Sequence, residues 1–112
     1  MSSIPTPGQP VRGSRTGKPI MALFDLIGRS WALGVIWQLS LGPLTFRQLQ
    51  TACEGVSPTV LNKRLKELTV SGFVTRTAEG YDLTDSGIAL FKLLQPLGGF
   101  SDDWASRLGT SP

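Results

Sequence analysis

The 112-residue chain contains no histidine and a single cysteine, Cys53. The missing histidine removes the commonest general base and the commonest metal ligand. One cysteine excludes an intramolecular disulfide, and without histidine it builds neither a cysteine–histidine nucleophile nor a zinc site. This usage, with no signal-peptide pattern, leads us to expect a reducing cytoplasm. Long apolar runs are also missing. The most apolar stretch, residues 31–44, is broken by Gln38 and Ser40 and followed by Arg47. It falls short of the roughly 20 apolar residues that span a bilayer, so no membrane association is expected. The run GSRTGKP at residues 13–19 hints at a phosphate-binding loop. Its glycine spacing is too short, Pro19 stands where Ser or Thr is needed, and no strand precedes it. Carboxylates are scattered, with only Asp102 and Asp103 adjacent. No enzymatic activity, catalytic residue, cofactor or metal is expected.

What is present is charge of uneven distribution. The formal net charge is only +3. Residues 1–18 carry Arg12, Arg15 and Lys18 and no acid, and residues 19–42 are neutral. Residues 43–76 carry five cations against Glu54 and Glu67, whereas residues 77–112 carry two cations against five acids. Basic segments followed by an acidic end point to a polyanion contact on part of the molecule.

Residues 1–18 are rich in proline, glycine, serine and threonine and lack the apolar content for a core, which predicts a disordered basic arm. Such an arm either stays inert or adds phosphate contacts. Residues 19–112 form the expected folded domain. Ile20, Leu23, Phe24 and Ile27 share one face of a first helix that Gly28 ends. Ser30 is placed to cap a second helix with Trp31, Val35 and Leu39 aligned. Thr45 with Gln48 three residues later is a capping box that opens a third. Ser57 caps a fourth, with Pro58 at its first position and Gly72 as its stop. Residues 73–84 alternate as a short hairpin around Gly80. Thr84 caps a fifth helix, which Pro96, Gly98 and Gly99 interrupt. A last helix then carries Phe100, Trp104 and Leu108. The fold class is mainly α with a small β-hairpin (α+β).

The third and fourth helices, joined by a short turn containing Gly55, make a helix-turn-helix, and the hairpin after them supplies a wing. The major groove of duplex DNA accepts one α-helix, whose outward side chains read base edges. On a helical wheel Leu61, Leu65 and Leu68 define the buried side of the fourth helix, about residues 57–71. Thr59, Asn62, Lys63 and Lys66 face outward, Arg64 lies at the margin, and Glu67 lies off to one side. Such a charged face alone reads as a solubilising surface. Within a winged helix-turn-helix it reads as a DNA contact. Thr59, Asn62 and Lys63 are expected at base edges, and Arg47, Ser57, Arg64 and Lys66 at phosphates. Arg76 is expected on the backbone from a wing at about residues 73–83.

The spaced set Gly28/Trp31, Gly42-Pro43, Phe46, Leu49, Gly55-Val56-Ser57, Leu61/Arg64/Leu65/Leu68, Gly72-Phe73-Val74/Arg76 and Leu83-Thr84/Gly87 resembles the HxlR-type winged-helix transcriptional regulators of bacteria and archaea. The resemblance covers roughly residues 18–108. It implies a homodimer on a palindromic operator, associated with the nucleoid when bound, and dimerisation through the first and last helices. That fits the apolar faces of Leu23, Phe24 and Ile27 and of Phe100, Trp104 and Leu108. Three positions depart from the family pattern. Lys18-Pro19 replaces a Cys-Pro pair that senses oxidants or electrophiles in some members. Thr45 replaces an arginine, and the wing lacks the usual Pro-x-x-Val-Glu-Tyr.

Cys53 sits at a helix end beside Glu54, where dipole and neighbour both disfavour thiolate, and is expected to be an inert thiol. A winged-helix protein-interaction module without DNA binding is the rival reading. No polar cluster names a small-molecule effector.

Overall fold

Capping chemistry sets where three of the six helices begin. The Thr45 side chain accepts from Gln48 N–H (3.2 Å), and the Gln48 side chain returns the bond to Thr45 N–H (2.9 Å). Ser57 Oγ accepts from Val60 N–H (3.2 Å) and Thr84 Oγ1 from Gly87 N–H (3.0 Å). Each satisfies a donor that the first helical turn leaves without an intrahelical partner. The computed structural model describes residues 4–109. In chain order it contains α1 (Pro19–Ile27), α2 (Ala32–Leu39), α3 (Phe46–Ala52) and α4 (Pro58–Val70). The hairpin β1 (Val74–Thr77) and β2 (Gly80–Leu83) follows, then α5 (Asp85–Leu94) and α6 (Leu97–Arg107). The class is mainly α with one antiparallel hairpin.

The core gathers around α2, whose Val35, Ile36 and Leu39 are buried against Leu49 of α3 and Leu61, Leu65 and Leu68 of α4. Val74 and Leu83, paired across the hairpin, close the core from the wing side, and Leu90 closes it from α5. A second pairing fixes the base of the wing. Leu44, in the α2–α3 connection, exchanges both backbone bonds with Tyr81 (3.0 and 2.7 Å). Gly80 makes that approach possible: its φ is +127°, and a Cβ there would collide with the Leu44 carbonyl. The hairpin is therefore bolted to the helix-turn-helix rather than hung from its end.

Several expectations are revised. Ser30 does not cap α2. The helix begins at Ala32, and its N-cap is Trp31 in left-handed conformation (φ 68°) with no side-chain cap bond. The Ser30 carbonyl instead accepts from Arg64 Nε (2.7 Å), which draws the chain inward, and the Trp31 ring lies against Gly34, where there is no Cβ to obstruct it. Gly98 and Gly99 do not interrupt a helix either. They lie within α6, which starts directly after Pro96, and Gly98 lies near the Trp37 ring. On α1 the core takes Ala22 and Leu26. Leu23 and Ile27 are half-buried, and Ile20 and Phe24 are exposed.

Residues 4–18 form a loop ahead of α1. Gly8 N–H donates to Gly17 O (2.9 Å), Val11 and Ser14 exchange backbone bonds (2.8 and 3.1 Å), and Pro5 is buried. Backbone closure, one ion pair to α1 and the burial of Pro5 hold this loop.

Candidate nucleic-acid interface

The turn between α3 and α4 is short and closed by its own bonds. Glu54 and Gly55 both adopt positive φ (58° and +75°). This lets Gly55 N–H reach Gln50 O (2.9 Å) and Val56 N–H reach Cys53 O (3.1 Å). Gln50 Nε2 then donates to Val56 O (2.9 Å). With Val56 packed into the core, the angle between the two helices is held by covalent and hydrogen-bonded geometry. Cys53 is fully buried at this junction, and burial first, then the Glu54 carboxylate, pushes its thiol pKa up. A neutral packed thiol is the result.

Of the expected DNA-contacting residues, Arg47, Ser57, Thr59, Asn62, Lys63, Lys66 and Arg76 are exposed. Arg47, Lys63 and Lys66 make no ion pair with any described residue. Asn62 and Lys66 share a cleft of about 270 Å³ with Arg76 and Tyr81 of the hairpin. There the Arg76 guanidinium lies 5.0 Å from the centroid of the Tyr81 ring, its cross-strand partner. The aromatic face holds the wing's cation beside α4. Thr69 also lines this cleft. Neither Thr69 nor Tyr81 was expected there. The strand alternation that places Tyr81 opposite Arg76 was the available signal. Arg47, on α3, lines neither this cleft nor the cavity on the other side of α4.

Arg64 is placed differently from the expected phosphate contact. Its Nε donates to Ser30 O (2.7 Å) and its Nη1 to Glu67 Oε1 (2.9 Å), and its side chain is only 13% exposed. Glu67, expected near the solvent side, is buried. Its other oxygen takes Arg29 Nη1 at 2.7 Å, and Arg29 also approaches Asp25 (3.6 Å). The wheel placed Glu67 away from the leucines, and the α1–α2 corner covers that flank. Arg64 thus braces α4 against this corner. The consequence at the surface is electrostatic: the only acid of α4 is withdrawn into ion pairs, and its exposed face presents Thr, Asn and two Lys.

The apolar faces of the terminal helices are open. Phe24 (56%), Phe100 (57%), Trp104 (54%) and Leu108 (64%) are each more than half exposed, and α6 contains no buried residue. These side chains do not complete the monomer core. No single helix among the described residues is long and apolar enough to cross a membrane.

Residues 26–108 match the model of a family described as HxlR-like helix-turn-helix. An HTH-type transcriptional regulator of Bacillus subtilis (strain 168), YvaP, is 31% identical over 87 residues, which is 71% of this chain and 81% of that protein. Quinone-bound YodB from B. subtilis superposes with a TM-score of 0.68 at 31% identity, covering 75% of this chain and 96% of YodB. A protein of Thermoplasma volcanium GSS1, described as a possible HxlR family transcriptional factor, superposes with a TM-score of 0.71 at 26% identity. That match covers 80% of this chain and 86% of the other.

Proposed function

Because the chain belongs to the HxlR-like helix-turn-helix family and is a transcriptional regulator of winged-helix type, we propose that it binds duplex DNA as a homodimer on a palindromic operator. In this reading α4 enters the major groove, with Thr59, Asn62 and Lys63 toward base edges and Lys66, Ser57 and Arg47 toward phosphates. Arg76, steadied by Tyr81, meets the backbone from the wing. The observation that carries this reading is the face of α4. Four polar or cationic side chains stand exposed on a helix fixed by a closed turn, and its one acid is buried in ion pairs.

The homodimer reading rests on the open apolar faces of α1 and α6. Two copies joined there place two α4 helices on half-sites about one helical turn apart. The reading assigns the chain to the cytoplasm, on the nucleoid when bound, and calls for no catalytic group, metal or cofactor. Quinone is a property of the YodB structure. The thiol chemistry associated with a Cys-Pro pair has no counterpart at Lys18-Pro19, and Cys53 is buried.

Gel-shift titration at two salt concentrations, on an operator selected from a random DNA pool, tests the reading. The wild-type protein shifts DNA, more tightly at low salt. Lys63→Ala weakens binding roughly tenfold and makes the salt dependence shallower. Unchanged affinity and slope in Lys63→Ala would remove the assignment of α4 as the reading helix. No shift even at low salt would favour the protein-interaction module.

A further inference from the structure

The α4 helix has a second flank, opposite the wing, and it is built in part by residues that precede the family match at 26–108. The loop of residues 8–17 folds back so that Arg12 meets α1. Its backbone N–H points to Asp25 Oδ2 (3.4 Å), and its guanidinium lies 3.4 Å from Asp25 Oδ1. Asp25 is a firm anchor, with a side chain 4% exposed and shared with Arg29. The Arg12 side chain remains 76% exposed. Between this loop and α4 lies an open cavity of about 500 Å³, lined by Arg12, Arg29, Arg64 and Lys63, with Asp25 as its one acid among the described residues.

The charges in this cavity divide into two groups. Arg29 and Arg64 sit deep in the wall and are engaged by Glu67 and Asp25. Arg12 and Lys63 stand at the mouth, exposed, and Lys63 belongs to the outward face of α4. Positive charge on both sides of an opening beside the proposed reading helix favours an anion there. With α4 in the groove, the anion presented at that edge is a backbone phosphate.

We propose that the loop of residues 8–17 acts as a second wing, in which Arg12 holds a DNA backbone phosphate on the side of α4 away from the β-hairpin. This inference rests on the DNA-binding reading above and adds a contact from outside the helix-turn-helix. Asp25 sets where the loop docks, so that Arg12 reaches the phosphate from a fixed position at little ordering cost. The reading helix is then flanked by one cation on each side, Arg12 and Arg76.

The test uses the full chain, with Arg12→Ala and the charge reversal Arg12→Glu, titrated on the selected operator and on an unrelated duplex at several salt concentrations. The thermal midpoint of Arg12→Ala should stay close to wild type, because Arg12 is exposed and Asp25 keeps Arg29 as a partner. Arg12→Ala should weaken both DNAs by the same factor, roughly tenfold, since a phosphate contact carries no sequence information. The salt slope of the dimer should fall by about two, from about 0.9 per lost phosphate contact in each of two copies. Arg12→Glu should weaken binding further. Wild-type binding with unchanged affinity and slope in both variants overturns this inference alone. Absence of any wild-type shift overturns it together with the DNA-binding reading. A rise in thermal midpoint with inorganic phosphate that Arg12→Ala abolishes, while DNA affinity stays the same, also overturns it and makes the cavity a site for a free anion.

Discussion

Glu67 shows how far a single residue departs from what its helix position implies. On the wheel it belongs beside the exposed lysines. In the fold it is buried between Arg29 and Arg64, each within 2.9 Å. Removing one member of a buried ion pair leaves the others desolvated and uncompensated. Glu67→Ala should therefore cost about 3–5 kcal/mol, read as a lower urea midpoint, in a domain whose total stability is about 5–15 kcal/mol. A surface carboxylate would change stability by less than about 1 kcal/mol, so the measurement separates the two placements. The leucines, the outward Thr59, Asn62, Lys63 and Lys66, and the thiol of Cys53 were legible from periodicity and neighbours. The burial of Glu67 was not, nor was the partner of Arg64 at the wheel's margin, because Arg29 and Ser30 lie 38 and 34 residues away.

Among the elements, those defined by local chemistry were the legible ones. The capping box at Thr45, the Ser57-Pro58 start and the Thr84 cap were read at the residues where they occur, because each motif closes within a few residues. The start of α2 was misread, since long-range contacts of Ser30 and Trp31 override the local cap signal. The wing was read as short, and its tip explains what it can do. Thr77 Oγ1 accepts from Glu79 N–H (3.2 Å) and donates to Gly80 O (3.1 Å), holding a tight turn that presents Glu79 to solvent. A carboxylate at the tip repels phosphate, which leaves the wing's attraction to Arg76. Glu79→Lys should therefore tighten binding to any duplex several-fold and steepen the salt slope of the dimer by about two, checked by the same titrations. A tip that points away from DNA would leave both unchanged.

At the scale of the whole molecule, the terminal helices bear on the proposed reading helix. Phe24 on α1 and Phe100, Trp104 and Leu108 on α6 expose apolar area that a lone small domain gains nothing from leaving in water. Trp104→Asp should convert a dimer into a folded monomer, measured by light scattering. Operator affinity should then fall by roughly 10²–10⁴ as two half-site contacts are uncoupled. A wild-type protein of monomer mass that still binds operator would overturn the dimer. The charge polarity seen along the chain suits this arrangement. Cations lie on α4, on β1 and on the loop of residues 8–17, while Asp102 and Asp103 sit on α6, the helix proposed to face the partner.

The sequence by itself determined the order of the elements, the caps of α3, α4 and α5, the helix-turn-helix with its hairpin, the outward face of α4 and the family. All of these follow from hydrophobic periodicity and short-range hydrogen-bonding motifs, which operate within one or two helical turns. Only the tertiary structure decided that Arg64 braces rather than reaches out, that Glu67 is hidden, and that Tyr81 steadies Arg76. It also placed Arg12, on the loop of residues 8–17, beside α4. The physical reason is common to them all. A charge is free or committed according to partners brought close by folding, from five residues away for Arg76 and Tyr81 to 38 for Arg29 and Glu67.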